Sequence, residues 1–361
     1  MKSVCAMTVI AGSVIGVGTP ALASVSFSGF GAGSRANALS ADGSTAVGRV
    51  GGRATRWVGT VPHDLNTFGD GSYSTASAVS ADGSVIVGNA YNGDPFMPDT
   101  VAYRWTAGTG ASSLGATGGS YEGWGAMGVS AGGSVVVGRT GFASAATAFG
   151  APFGAPISYG RSAARGVSAD GSVIVGFTRN DAGDRTEAFH WTGQHGTQLL
   201  GTLAGGANSG ASAVSGDAAT IVGWSESTLG RQAFRWSAIE GMIGLDDLAG
   251  GAFDSEALAL SADGAVIVGT GTDALGATAV RWTTSGPVPI QSLLTGLGMD
   301  LTGWRLTAAT GVSADGLTFV GNGLDPSGQY AGWIATVPAP GAPIAAGLLA
   351  LLRHRSRRED R

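Results

Sequence analysis

Short apolar runs recur along the chain, and each follows a polar turn. In GVSADGSVIVG, residues 166–176, a strand ends at Val-Ser, Ala-Asp-Gly makes a turn, and Val-Ile-Val-Gly returns. Glycine at the end of the turn suits a tight β connection, because glycine adopts positive φ without steric cost. The return strand is apolar at consecutive positions, which is typical of a strand covered on both faces. The pattern therefore predicts a buried β-hairpin.

This hairpin is repeated seven times. Its serines are spaced 38 to 52 residues apart, a period typical of propellers and arrays. The copies are ALSADGSTAVG (38–48), AVSADGSVIVG (78–88), GVSAGGSVVVG (128–138), GVSADGSVIVG (166–176), AVSGDAATIVG (213–223), ALSADGAVIVG (259–269) and GVSADGLTFVG (311–321).

A third strand follows each hairpin and usually ends in tryptophan, and a fourth β-like segment follows in every copy but the last. The segment VSFSGFGA (25–32) precedes the first copy and could complete the last unit. We therefore predict an all-β, seven-bladed β-propeller of seven four-stranded repeats whose termini close one blade. The strands read Thr55-Arg56-Trp57, Tyr103-Arg104-Trp105, Thr147-Ala148-Phe149, Phe189-His190-Trp191, Phe234-Arg235-Trp236, Val280-Arg281-Trp282 and Ala331-Gly332-Trp333.

The hairpin and the Ala-Phe-Arg-Trp strand together resemble the HAF repeats of extracellular bacterial proteins, over residues 24–337. The resemblance implies a propeller-like protein of the envelope or the extracellular space. It implies no reaction and no cofactor.

The first 23 residues have the layout of a secretory signal peptide. Lys2 supplies the positive charge, Val9–Gly18 the apolar stretch, and Ala21-Leu22-Ala23 a small-residue cleavage site. Cleavage after Ala23 would also remove Cys5, the single cysteine of the chain. The mature protein would then have no disulfide and no thiolate metal site.

Residues 338–361 have the layout of a second sorting signal. A turn motif precedes an apolar run, 342–352, that is shorter than a membrane-spanning helix and is followed by arginines. The order resembles the PEP-CTERM tails of secreted proteins, with Ala339 in place of the family's glutamate. It implies transient anchoring at the inner membrane until an exosortase-type protease removes the tail; a basic disordered tail is the alternative. The motif residues are Val337, Pro338, Ala339, Pro340, Arg353, Arg355, Arg357 and Arg358.

Charge narrows the choice of partners. Removing the leader takes away one positive charge and removing the tail a net three, which changes the formal charge from −5 to −9. Lys2 is the only lysine, so no lysine would be left to bind phosphate. We therefore expect no nucleic-acid partner.

Two sets of repeated residues could carry chemistry. The turn aspartates could bind calcium or cap their own turns, and one carboxylate per turn favours capping. The repeated tryptophans could form a carbohydrate platform or pack between blades, and their recurrence at one position favours packing. Trp124, Trp224 and Trp304 lie outside the repeat pattern and are better candidates for an exposed surface than the repeated tryptophans, although packing is favoured for them too.

We predict an exported, non-enzymatic propeller at the cell surface or in the extracellular matrix, without cofactor or metal, that binds surface polysaccharide or a matrix protein. The alternative is a secreted polysaccharide hydrolase or lyase, in which Glu122, Asp94 and Asp99 meet at one mouth of the ring. The unrepeated insertions 91–100 and 144–160 are the segments most suited to a particular function.

Overall fold

The computed structural model describes residues 25–67, 73–91, 100–116, 125–140, 145–149, 162–179 and 184–340. Within these ranges the chain is almost entirely β, and Val25–Val337 forms one compact unit. We call the sheet that starts at each hairpin repeat a unit, numbered 1 to 7 along the chain.

The strands follow one another in the order of the repeats. The first strand is β1 (Ser26–Ala32). Unit 1 contains β2 (Ser34–Leu39), β3 (Thr45–Val50), β4 (Arg53–Val58) and β5 (Val61–Asp64); unit 2 contains β6 (Ser74–Val79), β7 (Val85–Tyr91), β8 (Thr100–Thr106) and β9 (Gly110–Ala116); unit 3 contains β10 (Gly125–Val129), β11 (Val136–Thr140) and β12 (Ala145–Phe149). Unit 4 contains β13 (Ala163–Val167), β14 (Val173–Arg179), β15 (Thr186–Thr192) and β16 (Gly196–Gly201); unit 5 contains β17 (Ser209–Val214), β18 (Ile221–Ser227), β19 (Gly230–Ser237) and β20 (Gly241–Gly244). Unit 6 contains β21 (Glu256–Leu260), β22 (Ile267–Asp273), β23 (Gly276–Thr283) and β24 (Gly286–Pro289), followed by the helix α1 (Ile290–Gly296); unit 7 contains β25 (Arg305–Val312), β26 (Thr318–Leu324) and β27 (Tyr330–Thr336).

Neighbouring strands of each unit pair antiparallel, with the first strand innermost. In unit 7 the outer position is taken by β1, which pairs with β27 in the register Ser26↔Thr336 and Phe27↔Ala335. This pairing confirms that the N-terminal segment completes the sheet of the last repeat. Since β1 leads directly into unit 1, the first and last units are joined through it.

The sequence prediction of a seven-bladed propeller with four strands in every blade is wrong. The described residues form six four-stranded blades and one helix, and unit 3 is a sheet of three strands, β10 to β12. The third repeat is also the one that departs from the motif, with Gly132 for the turn aspartate and Phe149 for the tryptophan. Residues 150–161, which follow β12, lie outside the described residues.

Backbone hydrogen bonds join the hairpin turns into a closed ring. The residue that follows each repeat serine donates its N–H to the carbonyl oxygen of its counterpart in the next unit. The last of these bonds, from Ala314 N to Ala41 O at 2.8 Å, returns to the first repeat. The ring runs through Ala41, Ala81, Ala131, Ala169, Gly216, Ala262 and Ala314, with N···O distances of 2.8 to 3.3 Å.

Each return strand contributes two consecutive buried residues, one to each neighbouring unit. Such a strand is covered on both faces, which explains its continuous apolar pattern. The fully buried Trp57, Trp282 and Trp333 pack between the sheets, so the packing interpretation of these tryptophans is confirmed. The buried pairs are Ala46/Val47, Ile86/Val87, Val136/Val137, Ile174/Val175, Ile221/Val222, Ile267/Val268 and Phe319/Val320.

A β-bulge explains the last glycine of the repeat. In unit 4 the register of β13 against β14 shifts between Ala164 and Gly166. This brings the carbonyl oxygen of Ala163 so close to Gly176 that a Cβ there would lie 1.9 Å from it. The other six repeats show the same contact, with distances of 1.8 to 2.1 Å. Only glycine fits at this position.

Candidate functional site

The bulges also direct one side chain from every unit into a central channel. A bulge leaves one residue of its strand unpaired and changes the direction of its side chain. The seven unpaired residues line a cavity of about 290 Å³ around the axis of the ring. They are Asn37, Ser77, Met127, Arg165, Ser212, Leu258 and Thr310.

These channel residues vary although everything around them repeats. In all seven units the sequence is Ala, a variable residue, Ala or Gly, Val or Leu, and Ser. The flanking residues are fixed by packing, because the alanine that precedes each bulge is almost completely buried. The channel position has no such constraint, so its chemistry can differ from unit to unit.

The channel widens into a mouth on the side of units 1 and 2, with a cavity volume of about 470 Å³. The channel residues form its inner part, and the rim consists of side chains near the ends of the two inner strands of these units together with Thr100 at the start of β8. The rim residues are Arg35, Arg49, Tyr73, Thr75, Asn89, Tyr91 and Thr100. The mouth therefore offers guanidinium, hydroxyl, amide and aromatic groups.

Arg165 is the arginine among the seven channel residues, and it has an acidic partner in the described part of the chain. Its Nη1 lies 3.6 Å from Oε1 of Glu256, and the same carboxylate accepts a hydrogen bond from Ser212 Oγ at 3.2 Å. The other carboxylate oxygen of Glu256 binds Arg231. Glu256 thus offsets positive charge on the side of the channel formed by units 4 to 6.

Aromatic rings hold the rim arginines. The Arg49 guanidinium carbon lies 5.1 Å from the ring centroid of Tyr73, which packs edge-on against Tyr91 with centroids 5.4 Å apart. The Arg35 guanidinium carbon lies 5.7 Å from the ring centroid of Tyr330. Cation–π contacts of this kind orient a guanidinium without neutralising its charge.

The described residues that line the mouth and the channel include no aspartate or glutamate. Glu122, Asp94 and Asp99, which the hydrolase alternative requires, lie outside the described residues, as do most of the insertions 91–100 and 144–160. In the described part of the chain there is also no group of three or more potential metal-ligating side chains.

The turn aspartates cap their own turns, as the sequence predicts. In unit 2, Oδ1 of Asp82 accepts hydrogen bonds from Ser80 Oγ at 2.7 Å and from Ser84 N at 3.0 Å. Ser80 Oγ in turn accepts the Val85 N–H, which closes the hairpin. The equivalent carboxylates, Asp42, Asp170, Asp217, Asp263 and Asp315, make the same pair of contacts.

These caps predict acid-sensitive stability. The Ser84 N–H and the Ser80 hydroxyl lower the pKa of Asp82 to about 2, whereas an unfolded aspartate titrates near pH 3.9. The ionised cap therefore stabilises the protein above about pH 4, and this contribution is lost as the pH falls towards 2. We expect Asp82→Asn to lower the urea midpoint at about pH 6 and to have less effect near pH 3. An equal effect at both pH values would contradict this role.

The structure describes only some of the residues predicted to form the two sorting signals. Val337 is buried in the core of unit 7 and donates its N–H to Leu317 O at 2.9 Å. Pro338, Ala339 and Pro340 follow as a partly to fully exposed segment. The predicted cleavage residue Ala23 and the tail arginines lie outside the described residues, so the sorting signals stay predictions. These arginines are Arg353, Arg355, Arg357 and Arg358.

Two of the three tryptophans outside the repeat pattern take part in packing. Trp304 meets Phe27 of β1 edge-on, with ring centroids 5.1 Å apart. Trp224 lies under the Arg231 guanidinium, whose carbon is 4.6 Å from the ring centroid. Both are partly buried, and Trp124 lies outside the described residues. These contacts agree with packing, which the sequence favoured for both residues.

Comparison with known proteins finds structures that align with the chain but no matching family. No family model matches the chain, and no curated protein matches it. Among solved structures, it aligns with Kuenenia stuttgartiensis hydrazine synthase with a TM-score of 0.50 and 11% identity, over 91% of this chain and 99% of that one. TolB from Acinetobacter baumannii aligns with a TM-score of 0.45 and 10% identity, over 85% of this chain but only 64% of that one. The Dos1 propeller aligns with a TM-score of 0.46 and 10% identity, over 86% and 95%. The alignment with hydrazine synthase concerns the fold alone, and similarity this remote indicates nothing about activity.

No helix among the residues that the structure describes has the length and apolar character needed to cross a bilayer.

Proposed function

We propose that this protein is an exported, non-enzymatic propeller that binds surface polysaccharide or a matrix partner in the mouth of its channel. The signal-like N-terminus and the PEP-CTERM-like tail support export and transient anchoring at the membrane. The sorting machinery that handles such tails would then be an additional, temporary partner.

One observation carries the binding role. Seven equivalent bulges direct seven side chains into one channel, and six different residue types occupy these positions. Packing does not fix this position, so its side chains can be selected for a ligand while the residues on either side are kept for the fold. Convergent polar groups in a concave site are the usual sign of a ligand pocket.

The lining chemistry favours binding over hydrolysis. Glycoside hydrolysis needs two carboxyl groups placed on either side of the scissile bond. The described lining instead carries arginine, asparagine, threonine, serine and tyrosine. Arginine and hydroxyl groups hold a polar or anionic ligand through charged and neutral hydrogen bonds.

A blocking substitution tests the site. We expect Ser77→Trp to abolish retention of the purified protein on its own envelope polysaccharide, because the indole would fill the channel at a bulge position. Ser285→Trp is the matched control. Ser285 is exposed in the turn between β23 and β24 and lines neither the channel nor its mouth.

Retention should be measured by pull-down and by calorimetry with size-fractionated polysaccharide. The circular dichroism spectra of both variants must match that of the wild type. Equal retention of the two variants would contradict a channel site. If the wild type were retained on none of the envelope and matrix fractions, the binding role would be contradicted.

A further inference from the structure

Two arginines face each other on neighbouring strands at the mouth. Arg35 on β2 and Arg49 on β3 are direct partners in the strand register, and both line the cavity. Directly opposed residues of antiparallel strands project to the same side of the sheet, with Cβ atoms about 5 Å apart. Like charges in this arrangement destabilise the sheet, so the fold gains nothing from the pair itself.

Five described arginines have printed acidic partners, whereas Arg35 has none among the described residues. Its contact is the ring of Tyr330, which carries no net charge. The described ion pairs elsewhere are Arg53–Asp64, Arg165–Glu256, Arg231–Glu256, Arg235–Glu240 and Arg305–Asp273. The mouth therefore holds the Arg35 guanidinium without a described acidic partner, opposite a second guanidinium, in an otherwise acidic protein.

The equivalent pair in unit 2 is polar and uncharged. Thr75 and Asn89 occupy the same register positions and line the same cavity. Asn89 is only 8% exposed, and its Oδ1 has no hydrogen-bond partner among the described residues. A buried amide left incompletely bonded is costly, and Asn89 lines the same cavity as the arginine pair. The mouth thus combines a cationic pair with a neighbouring amide–hydroxyl pair.

We propose that Arg35 and Arg49 form a subsite for the carboxylate or sulfate group of an acidic sugar unit, with Thr75 and Asn89 beside it for the hydroxyl groups. The inference rests on the proposed function and names the ligand class of that site. A guanidinium presents a planar fork of N–H donors that matches a carboxylate or sulfate in geometry as well as charge.

A nucleic acid is less suited to this site than an acidic sugar. Binding a phosphate backbone needs cations spread over many phosphates, whereas the positive rim pair is confined to one unit. Beyond a screening length of about 10 Å the pair attracts a phosphate only weakly, so the further phosphates of a nucleic acid would gain little from it. A sugar needs only one anionic group in the pair, and its hydroxyl groups match the uncharged lining.

Calorimetry on the purified protein with short uronate and sulfated oligosaccharides tests the inference. We expect Arg35→Gln and Arg49→Gln each to weaken binding about tenfold or more, because each removes a charged hydrogen-bond donor. Arg53→Gln is the matched control: it makes the same charge change in the same unit, at a surface arginine paired with Asp64. The methyl esters of the uronates should bind to the wild type as weakly as the free acids bind to the two variants.

Thermal unfolding without ligand separates this role from a structural one. We expect Arg35→Gln to leave the melting temperature unchanged or to raise it, since it relieves the repulsion from Arg49. A clear fall would indicate that the pair supports the fold and would overturn the subsite. Three further results would overturn the subsite if a polysaccharide still bound to the protein. These are equal binding of esters and acids, undiminished binding by both variants, and preference for nucleic acid. Absence of binding to every polysaccharide would instead refute the proposed function.

Discussion

Gly176→Ala is expected to lower the free energy of unfolding by about 4 kcal/mol, enough to prevent stable folding of many domains. The new methyl group would lie 1.9 Å from the carbonyl oxygen of Ala163 and 3.0 Å from the Cα of Ala164. Both contacts are with backbone of the neighbouring strand, so no side-chain rotation can relieve them. The bulge itself would have to move, and with it the channel residue Arg165.

Gly108→Ala is the control for this substitution. Gly108 lies in the turn between β8 and β9, and a Cβ there would meet no atom within 4 Å. We expect a change of no more than about 0.5 kcal/mol, or a slight gain from reduced freedom of the unfolded chain. Urea titration followed by tryptophan fluorescence measures both variants. Similar losses at the two positions would contradict the steric explanation of the repeat glycine.

Trp333→Ala is expected to cost about 4 kcal/mol, the usual range for removing a fully buried aromatic side chain. Trp333 has no exposed surface and lies in the core cluster of unit 7. Its ring is stacked near Phe27 of β1, with centroids 6.3 Å apart. The substitution would therefore weaken the sheet that joins the first strand of the chain to the last.

Ile239→Ala is the control for the core tryptophan. Ile239 is a large apolar residue with 97% of its surface exposed, so its truncation should change the stability by less than about 0.5 kcal/mol. Limited proteolysis should also release the N-terminal segment faster in Trp333→Ala than in Ile239→Ala. Equal stability of the two variants would contradict the burial on which the packing argument depends.

Local sequence was sufficient for the hairpin, the turn caps and the pairing of β1 with the last unit. The Ser-Ala-Asp-Gly turn carries its own hydrogen-bond partners, and the Val-Ile-Val run has the apolar pattern of a doubly covered strand. The unpaired segment 25–32 and the missing fourth strand after Trp333 together predicted the pairing. Each of these features depends on residues near one another in the chain or on a simple count of strands.

The number of complete blades could not be predicted in this way. The third repeat keeps its hairpin but lacks Asp at the turn and Trp in the third strand. Whether a degenerate repeat forms a fourth strand depends on how well its outer segment packs, and a repeat count does not measure that. The described structure has three strands there and four in the other units.

The candidate site was missed because its residues stand outside the repeated motif. Arg165 and Ser212 immediately precede two of the hairpin copies, and comparison of the copies alone leaves them out. The signal was nevertheless present in the sequence: one variable residue between a constant alanine and a constant small residue in all seven units. The pairing of Arg35 with Arg49 follows from the bulged register, which changes the alignment of opposing residues by one position.

The division of roles along each repeat has a simple physical basis. Return-strand residues are held by contacts with both neighbouring units, so changing them costs stability in two units at once. The turn aspartate and the last glycine are held by contacts within their own unit. Residues at the bulge and at the rim face a cavity, so they can change at little cost to the fold. A ring of this kind can acquire a new ligand preference through the residues at its mouth.

Closure of the ring is the claim on which the channel and its mouth depend, and one disulfide tests it. Ser26 of β1 and Thr336 of β27 are direct partners, and opposed residues in an antiparallel pair are close enough for a disulfide. In a Cys5→Ala background, Ser26→Cys with Thr336→Cys should form an intramolecular disulfide under mild oxidation, whereas Ser26→Cys with Ser285→Cys should not. Mass spectrometry of the monomer, before and after reduction, gives the result. Free thiols, or disulfides only between chains, in the first pair would show that the ends do not meet and would contradict the closed ring.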